Sequence, residues 1–251
     1  MDEEIMRLKN KTVLITGAGS GFGSGIAKTF AIEGATVIVA DINEDGAERV
    51  ATEIAGIGVR VDVSDHNSVK AMFDTILKKV RTIDILVNNA GTTHLPAEME
   101  KITETEFDKV LAVNTKSVFL CAKFFVPYFK KTGSGVILNI ASTAGVSPRP
   151  GLTWYNASKG WMITATKSMA IELAPYGIRV NAINPVAGET PLLKSFMGED
   201  TPEMRQKFLS TIPLGRFSLP EDIGQTAAFL CSSDASMITG VALEVDGGRC
   251  I

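Results

Sequence analysis

Short apolar runs alternate with longer amphipathic stretches along most of the chain. Residues 37–40 and 83–87 are almost entirely apolar, which is typical of strands in a parallel sheet that is covered on both faces. Runs of this kind predict strands at 12–16, 36–40, 58–62, 83–88, 135–141, 178–184 and 241–245. The amphipathic stretches predict helices at about 22–33, 44–54, 67–80, 103–131, 153–175 and 220–232.

Strands and helices that alternate with short connections predict an α/β fold, a doubly wound parallel sheet with helices on both faces. The chain has 251 residues, enough for one domain with a substantial core. We find no internal repeat or linker, so residues 1–251 are expected to form a single domain. Residues 190–218 fit no regular strand.

Composition narrows the classes of function. Hydrophobic residues make up 45% of the chain and charged residues 21%, with a net charge of -3, so no nucleic acid or anionic membrane is expected as a partner. No uninterrupted apolar run approaches the roughly 18 residues of a membrane span, and the acidic start of the chain is unlike a signal peptide. Cys121, Cys231 and Cys250 indicate reduced thiols of a cytoplasmic protein, with no disulfide framework or zinc site.

A glycine-rich loop follows the first predicted strand and precedes the first helix. The sequence TGAGSGFG at residues 16–23 spaces Gly17, Gly21 and Gly23 as GxxxGxG, which differs from the strict GxGxxG of many dinucleotide folds. At a strand–helix junction, such glycines let the backbone approach a pyrophosphate at the helix N-terminus. A tight turn without a ligand is the competing interpretation.

Tyr155 and Lys159 are four residues apart in a predicted helix and therefore share one face. A free tyrosine has a pKa of about 10, and a nearby cation is expected to lower the pKa of Tyr155. Such a tyrosine can exchange a proton with a substrate alcohol or carbonyl. Taken alone, the pair could equally be a solvated helix face.

Together these motifs closely resemble the short-chain dehydrogenase/reductase family over nearly the whole chain. The resemblance implies a seven-stranded sheet in the order 3-2-1-4-5-6-7, a substrate-binding flap at about 190–218 and a homotetramer that pairs through the two long helices and the last strand. The matching segments are residues 16–23, Asp62 with Val63, residues 88–91, Asn114, Ser142, Tyr155 with Lys159, Asn184 with Pro185, Thr190, and residues 238–240 and 246–248.

Asp41 ends the second predicted strand, about 20 residues beyond the glycine loop, where an acid accepts hydrogen bonds from the adenosine ribose. Its charge disfavours the 2′-phosphate of NADP, and Ile42 follows at a position where NADP enzymes carry a basic residue. NAD is therefore the expected cofactor. The alternative interpretation of Asp41 is a simple acid in a turn at the end of a strand. Asn88 is either a residue beside the cofactor or mainly a structural residue that braces the sheet. The resemblance assigns cofactor contacts to Gly17, Ser20, Gly21, Phe22, Gly23, Asp41, Ile42, Asp62, Val63, Asn88, Ala90, Gly91, Tyr155, Lys159, Pro185, Gly188 and Thr190.

One departure affects the nicotinamide pocket. After Asn184 and Pro185 the family usually has glycine and then, two places later, an aliphatic residue, whereas this chain reads Val186, Ala187 and Gly188. The spacing from Pro185 to Thr190 is kept, so the contact of Thr190 with the carboxamide is expected to survive.

The resemblance also assigns the catalytic groups. Tyr155 is the general base, Lys159 lowers its pKa and binds the nicotinamide ribose, Ser142 orients the substrate oxygen, and Asn114 holds a water for proton relay. The alternatives are a cap or turn role for Ser142 and a buried structural amide for Asn114. His94, Trp154, Leu192 and Phe196 are candidate substrate contacts.

The expected function is NAD-dependent interconversion of a small secondary alcohol, sugar or polyol with its ketone. A 3-oxoacyl-carrier-protein reductase is the alternative. Lys130 and Lys131 could receive its acidic carrier protein, but Asp41 argues against this activity, as do Ile171 and Glu172 where such reductases often have a basic residue. A non-catalytic NAD-sensing scaffold is a hypothesis of a different class. Turnover of NAD with any alcohol would separate the scaffold from the enzymes.

Overall fold

Seven parallel strands form the centre of the computed structural model, which describes residues 6–251. Their spatial order is β3-β2-β1-β4-β5-β6-β7, so the doubly wound α/β topology is confirmed. The strands are β1 (Thr12–Thr16), β2 (Thr36–Asp41), β3 (Ile57–Arg60), β4 (Ile85–Asn88), β5 (Gly135–Ile140), β6 (Ile178–Pro185) and β7 (Ala242–Val245).

Helices cover both faces of this sheet. Successive strand residues point to opposite faces of the sheet. Val13 and Ile15 pack against the helices of one face, whereas Leu14 packs against those of the other. Burial on both faces explains why the strands are almost uniformly apolar. The helices are α1 (Gly21–Ile32), α2 (Glu44–Glu53), α3 (His66–Lys79), α4 (Glu104–Leu111), α5 (Ser117–Thr132), α6 (Thr153–Leu173), α7 (Leu193–Met197), α8 (Pro202–Leu209) and α9 (Pro220–Cys231).

The helix expected at 103–131 is interrupted by a π-helical turn at Ala112–Lys116, between α4 and α5. The whole helical stretch begins at a capping box between Thr103 and Glu106 and ends at Gly133, whose φ is +73°. Among residues 6–251, the segment Glu104–Thr132 alone is long and apolar enough to cross a membrane, with mean hydropathy 1.4 over 18 residues. Core helices of soluble proteins have the same composition, and Phe125 of this segment is completely buried against the sheet.

Two strands each end or begin two residues inside the predicted bounds, because local side chains take their backbone hydrogen bonds. Strand β3 ends at Arg60, and the N–H of Asp62 donates to Ser68 Oγ at 2.9 Å. Strand β4 begins only at Ile85, since the N–H of Ile83 donates to Tyr128 Oη at 3.1 Å. The shortening of β3 leaves Asp62 in a turn at the carboxyl edge of the sheet.

The segment 190–218 is partly helical, because it contains α7 and α8. Its apolar side chains form a small core of their own, distinct from the two cores that flank the sheet. This core contains Val186, Leu193, Met197, Ile212 and Phe217. The segment lies at the carboxyl ends of the strands, where open α/β sheets place their ligands.

Candidate active site

A cavity of about 560 Å³ opens between the carboxyl ends of the strands and the segment 190–218. This volume is typical of sites for small molecules and cofactors. Most of the residues predicted for the site lie on its wall. They are Gly17, Ser20, Gly21, Phe22, Gly23, Asp41, Ile42, Asp62, Val63, Ala90, Gly91, Ser142, Tyr155, Lys159, Pro185, Gly188, Thr190, Leu192 and Phe196.

The glycine loop is folded so tightly that side chains would not fit in it. A Cβ on Gly23 would lie 2.3 Å from the carbonyl oxygen of Gly17, and Gly17 itself has φ +64°. Helix α1 begins within this loop, at Gly21, and its N-cap residue Ser20 makes no side-chain capping bond. The first N–H groups of α1 therefore lack a side-chain cap and face a site suited to a phosphate.

Asp41 holds the loop at the end of β2. Its Oδ2 accepts a hydrogen bond from the N–H of Gly19 at 2.9 Å, and its Oδ1 accepts one from the N–H of Asn43 at 2.9 Å. Each carboxylate oxygen can accept a further bond, so a ribose hydroxyl fits this position. Arg49 also reaches the loop, at the carbonyl of Gly19, but its guanidinium is paired with Glu53.

Tyr155 is buried, with 5% of its surface exposed, and its ring packs on Phe196 at a centroid distance of 5.1 Å. Burial raises the pKa of Tyr155 to about 12, although a hydrogen bond from Ser142 and the positive charge of Arg149 act in the opposite direction. A neutral phenol is favoured by its apolar surroundings. Tyr155 therefore carries its proton at neutral pH.

Lys159 lies one turn further along α6 and is also buried. Its Nζ donates a hydrogen bond to the carbonyl oxygen of Ile140, the last residue of β5, at 2.8 Å. Burial lowers the pKa of Lys159 to about 8. This ammonium is close to losing its proton under physiological conditions.

The expected effect of Lys159 on Tyr155 is corrected by this geometry. The pKa of Tyr155 is raised rather than lowered, because burial outweighs every opposing charge. Lys159 Nζ lies 5.9 Å from the centre of the phenol ring and is directed to Ile140. Helical spacing placed the two side chains on one face but did not reveal how deeply both are buried.

Asn114 is completely buried in the π-helical turn, behind the cavity wall. Its Oδ1 accepts from the N–H of Thr92 at 2.8 Å, and its Nδ2 donates to the carbonyl of Thr92 and to Ser158 Oγ, each at 2.9 Å. A Cβ on Gly91 would lie 3.6 Å from both Asn114 Oδ1 and Lys159 Nζ. The amide therefore lies close to the lysine and also braces the loop after β4.

Three other predicted residues lie off the cavity wall. Asn88 Nδ2 donates to Asn139 Oδ1 at 2.8 Å, as in a sheet brace between β4 and β5. His94 is 4% exposed, and its Nδ1 is 2.8 Å from the carbonyl of Leu95. Trp154 packs edge-on against Phe107.

The segment that departs from the family pattern is held by backbone bonds. The N–H of Glu189 donates to the carbonyl of Ser218 at 3.0 Å, and the N–H of Ser218 donates to the carbonyl of Ala187 at 3.2 Å. Thr190 then packs over the start of α1, since a Cβ on Gly21 would be 3.3 Å from Thr190 Cβ. The changed residues 186–188 thus leave Thr190 on the cavity wall.

Sequence reasoning assigned no individual role to five polar residues that line the cavity. They are Asn89, Thr92, Lys109, Thr143 and Arg149. Asn89 Nδ2 donates to the carbonyls of Thr16 and Gly17, both at 2.9 Å, and so closes the glycine turn. Arg149 lies between two prolines in the loop that joins Ser142 to Tyr155. A cation in that short loop, with no acid beside it, was the available signal.

Comparisons with known proteins agree with this arrangement. A family model described as Enoyl-(Acyl carrier protein) reductase matches residues 17–249. The chain is 50% identical to the 4-formylbenzenesulfonate dehydrogenase TsaC1/TsaC2 of Comamonas testosteroni, over 97% of this chain and 99% of that protein. It is 37% identical to the meso-2,3-butanediol dehydrogenase of Serratia marcescens, over 97% and 96% of the two chains.

A solved structure is equally similar. The 3-ketoacyl-(acyl-carrier-protein) reductase from Brucella melitensis, complexed with NADH, superposes with a TM-score of 0.93 at 52% sequence identity. The superposition covers 97% of this chain and 100% of that one.

Proposed function

Because the chain belongs to the short-chain dehydrogenase/reductase family, and is an oxidoreductase acting on CH–OH groups, we propose that it interconverts a secondary alcohol and its ketone with NAD. The observation that carries the proposal is Tyr155, a buried phenol beside Ser142 on the wall that also contains the glycine loop. This wall combines a proton-transferring group with a dinucleotide-type turn.

Residues of the cavity fit a nicotinamide dinucleotide. The uncapped N–H groups of α1 suit its pyrophosphate and Asp41 suits the adenosine ribose. Thr190, to which the resemblance assigns the carboxamide contact, lies close to Gly21. When bound, the cofactor supplies the hydride acceptor or donor.

The remaining chemistry belongs to the side chains. In reduction, Tyr155 donates its proton to the oxygen of the ketone, and in oxidation it takes the proton of the alcohol. Ser142 orients that oxygen by a hydrogen bond. Charged Lys159 stabilises the phenolate that reduction leaves on Tyr155. The high pKa of Tyr155 keeps the phenol protonated at neutral pH, which is the form that donates in reduction, whereas oxidation requires the deprotonated phenolate.

A 3-oxoacyl-carrier-protein reductase is the second candidate, favoured by the similarity to the Brucella melitensis reductase. A carrier protein is acidic, so its reductase needs an accessible basic surface. Ile171, which is 78% exposed, and Glu172 occupy the position on α6 where the resemblance expects basic residues. The lack of a basic residue at this position of α6 supports a small alcohol as the substrate, rather than one bound to a carrier protein.

A substrate panel tests the proposal. Purified protein would be mixed with NAD and butane-2,3-diol, cyclopentanol, sugars or polyols, and in the reverse direction with NADH and diacetyl, 4-formylbenzenesulfonate or 3-oxoacyl esters, with absorbance followed at the NADH band. We expect turnover of at least one small alcohol–ketone pair, and a preference for it over 3-oxoacyl esters. Absence of NAD or NADP turnover across the panel would contradict the enzyme.

We also propose a homotetramer in a reducing compartment such as the cytoplasm. Phe119 of α5 and Trp161 of α6 are 56% and 43% exposed and lie along one groove between these helices. A symmetric partner would bury such a face. The three thiols are free, which supports the reducing compartment.

A further inference from the structure

Arg149 brings a positive charge to the substrate end of the cavity. It lines the same wall as Ser142 and Tyr155, and its charge opposes the rise of the pKa of Tyr155. The central carbon of its guanidinium lies over the ring of Phe208 in α8, 4.3 Å from the ring centre. The loop beneath it is fixed, because Asn156 Nδ2 donates to the backbone carbonyl of Arg149 at 2.8 Å.

This guanidinium has no counter-ion in the protein. Within residues 6–251, the carboxylates paired with lysine or arginine are bound to other partners, and Arg149 forms no ion pair. Stacking on Phe208 leaves the five N–H donors of the guanidinium edge free for a planar oxyanion. A half-buried cation held in this way is typical of an anion-binding position.

A second arginine reaches the same place from the end of the chain. Arg249 Nη1 donates to Ser147 Oγ at 3.1 Å, two residues from Arg149, and Arg249 Nε is buried without a hydrogen-bond partner. Burial, and to a smaller extent the charge of Arg249, lowers the pKa of Arg149. Two like charges are thus kept close together, an arrangement that an anion between them would stabilise.

Nearby carboxylates are turned to other groups. Asp246 accepts from the N–H groups of Gly248 and Cys250, at 2.9 and 2.8 Å. The protein itself therefore leaves the guanidinium of Arg149 available to a ligand in the cavity.

We propose that Arg149 and Arg249 form a subsite that binds an acidic group of the substrate, a carboxylate or a sulfonate, beside Tyr155. This inference rests on the proposed oxidoreductase function and narrows its substrates to keto acids and hydroxy acids, or their sulfonate counterparts. The arginines hold the acidic end, Ser142 and Tyr155 engage the carbonyl or hydroxyl end, and Phe208 supplies an apolar support between α8 and the loop.

The test compares acids with their uncharged amides. Ketone reduction would be measured for 4-acetylbenzoate against 4-acetylbenzamide and for 3-oxobutanoate against 3-oxobutanamide, which cover two distances between carbonyl and acid. We expect kcat/KM to favour at least one acid by about ten- to hundredfold, the range for hydrogen bonds to a charged group. Arg149→Gln should lower kcat/KM on the acid far more than on the amide and so remove most of this preference, and Arg249→Gln should reduce the preference.

Two matched variants complete the design. Arg149→Lys keeps the charge and should retain part of the preference, whereas Arg81→Gln removes an exposed arginine remote from the cavity and should change nothing. Equal losses on acid and amide in Arg149→Gln would overturn the subsite, since the guanidinium would then serve Tyr155 alone. Wild-type protein that reduces amide and acid equally would overturn it as well.

A binding measurement separates this inference from the proposed function. Benzoate and benzamide, which cannot be reduced as ketones, would be titrated calorimetrically into the protein with NADH present. Tighter binding of benzoate that is lost in Arg149→Gln would support the subsite even if no ketone were turned over. Turnover of neutral ketones without preferential binding of benzoate would support the oxidoreductase and refute the subsite.

Discussion

Lys159 donates a hydrogen bond to the carbonyl oxygen of Ile140 at 2.8 Å. The bond joins the middle of the catalytic-site helix α6 to the last residue of the central strand β5. It fixes the ammonium beneath the cavity while Ser142, two residues beyond Ile140, stays beside Tyr155. The position of the proton-transferring phenol is therefore set by contacts between strand and helix.

Replacement of Tyr155 by phenylalanine should remove turnover and preserve the fold. The phenyl ring keeps the packing on Phe196 and loses only the proton-transferring hydroxyl, so we expect kcat to fall by about a hundred- to ten-thousandfold. NADH binding, followed by fluorescence, should be unchanged. The control is Tyr176→Phe, at a half-exposed tyrosine whose ring is covered by the ammonium of Lys130. A Tyr155→Phe protein with half the wild-type rate would contradict the assignment of Tyr155 as the proton-transferring group.

The choice between NAD and NADP should depend on the charge of Asp41. Wild-type protein should prefer NAD strongly, and Asp41→Ala should relax the preference by removing both repulsion and the ribose contact. Since Asp41 also accepts from the N–H of Gly19, Asp41→Asn is the better control because it keeps an acceptor for the loop. We would compare kcat/KM for the two cofactors. Equal use of both by wild-type protein would contradict this role of Asp41.

Ketone reduction should become slower above about pH 8. Reduction needs protonated Tyr155, which is present below its pKa of about 12, and charged Lys159, which is present below its pKa of about 8. The lysine therefore loses its charge first as the pH rises, and the rate should fall through that pH. Profiles from pH 6 to 10 at saturating NADH measure this.

Lys159→Met is the matched variant for the pH profile. It should be slow at every pH and show no decline near pH 8, because it has no proton to lose there. A wild-type rate that stays constant to pH 10 would show that the charge of Lys159 is not needed in reduction.

The apolar groove between α5 and α6 should be buried in an oligomer. Light scattering at micromolar concentration should give a mass near four chains, and Phe119→Glu with Trp161→Glu should reduce it, because each places a charge on the buried face. Ile32→Glu, at a residue that is 76% exposed on α1, is the control. A monodisperse wild-type mass near 26.8 kDa would refute the oligomer.

The sequence by itself determined the topology and much of the cavity wall. Apolar runs such as residues 37–40 are dictated by burial on both faces of a parallel sheet, and a glycine turn at a strand–helix junction can be read locally. The motif residues Gly17, Asp41, Ser142 and Tyr155 all reach the predicted edge, because parallel strands place their carboxyl ends on one side.

Only the tertiary structure decided what surrounds those residues. Burial raises the pKa of Tyr155, against the expected direction. Lys159 makes no direct contact with the phenol, because its ammonium donates to the carbonyl oxygen of Ile140. His94 followed a loop near the site in sequence, yet packing turns it away from the cavity. Arg249 is 100 positions from Arg149 in the chain, yet it donates to Ser147, two residues from Arg149. Desolvation and long-range contact depend on the whole assembled fold, so no local pattern could reveal them.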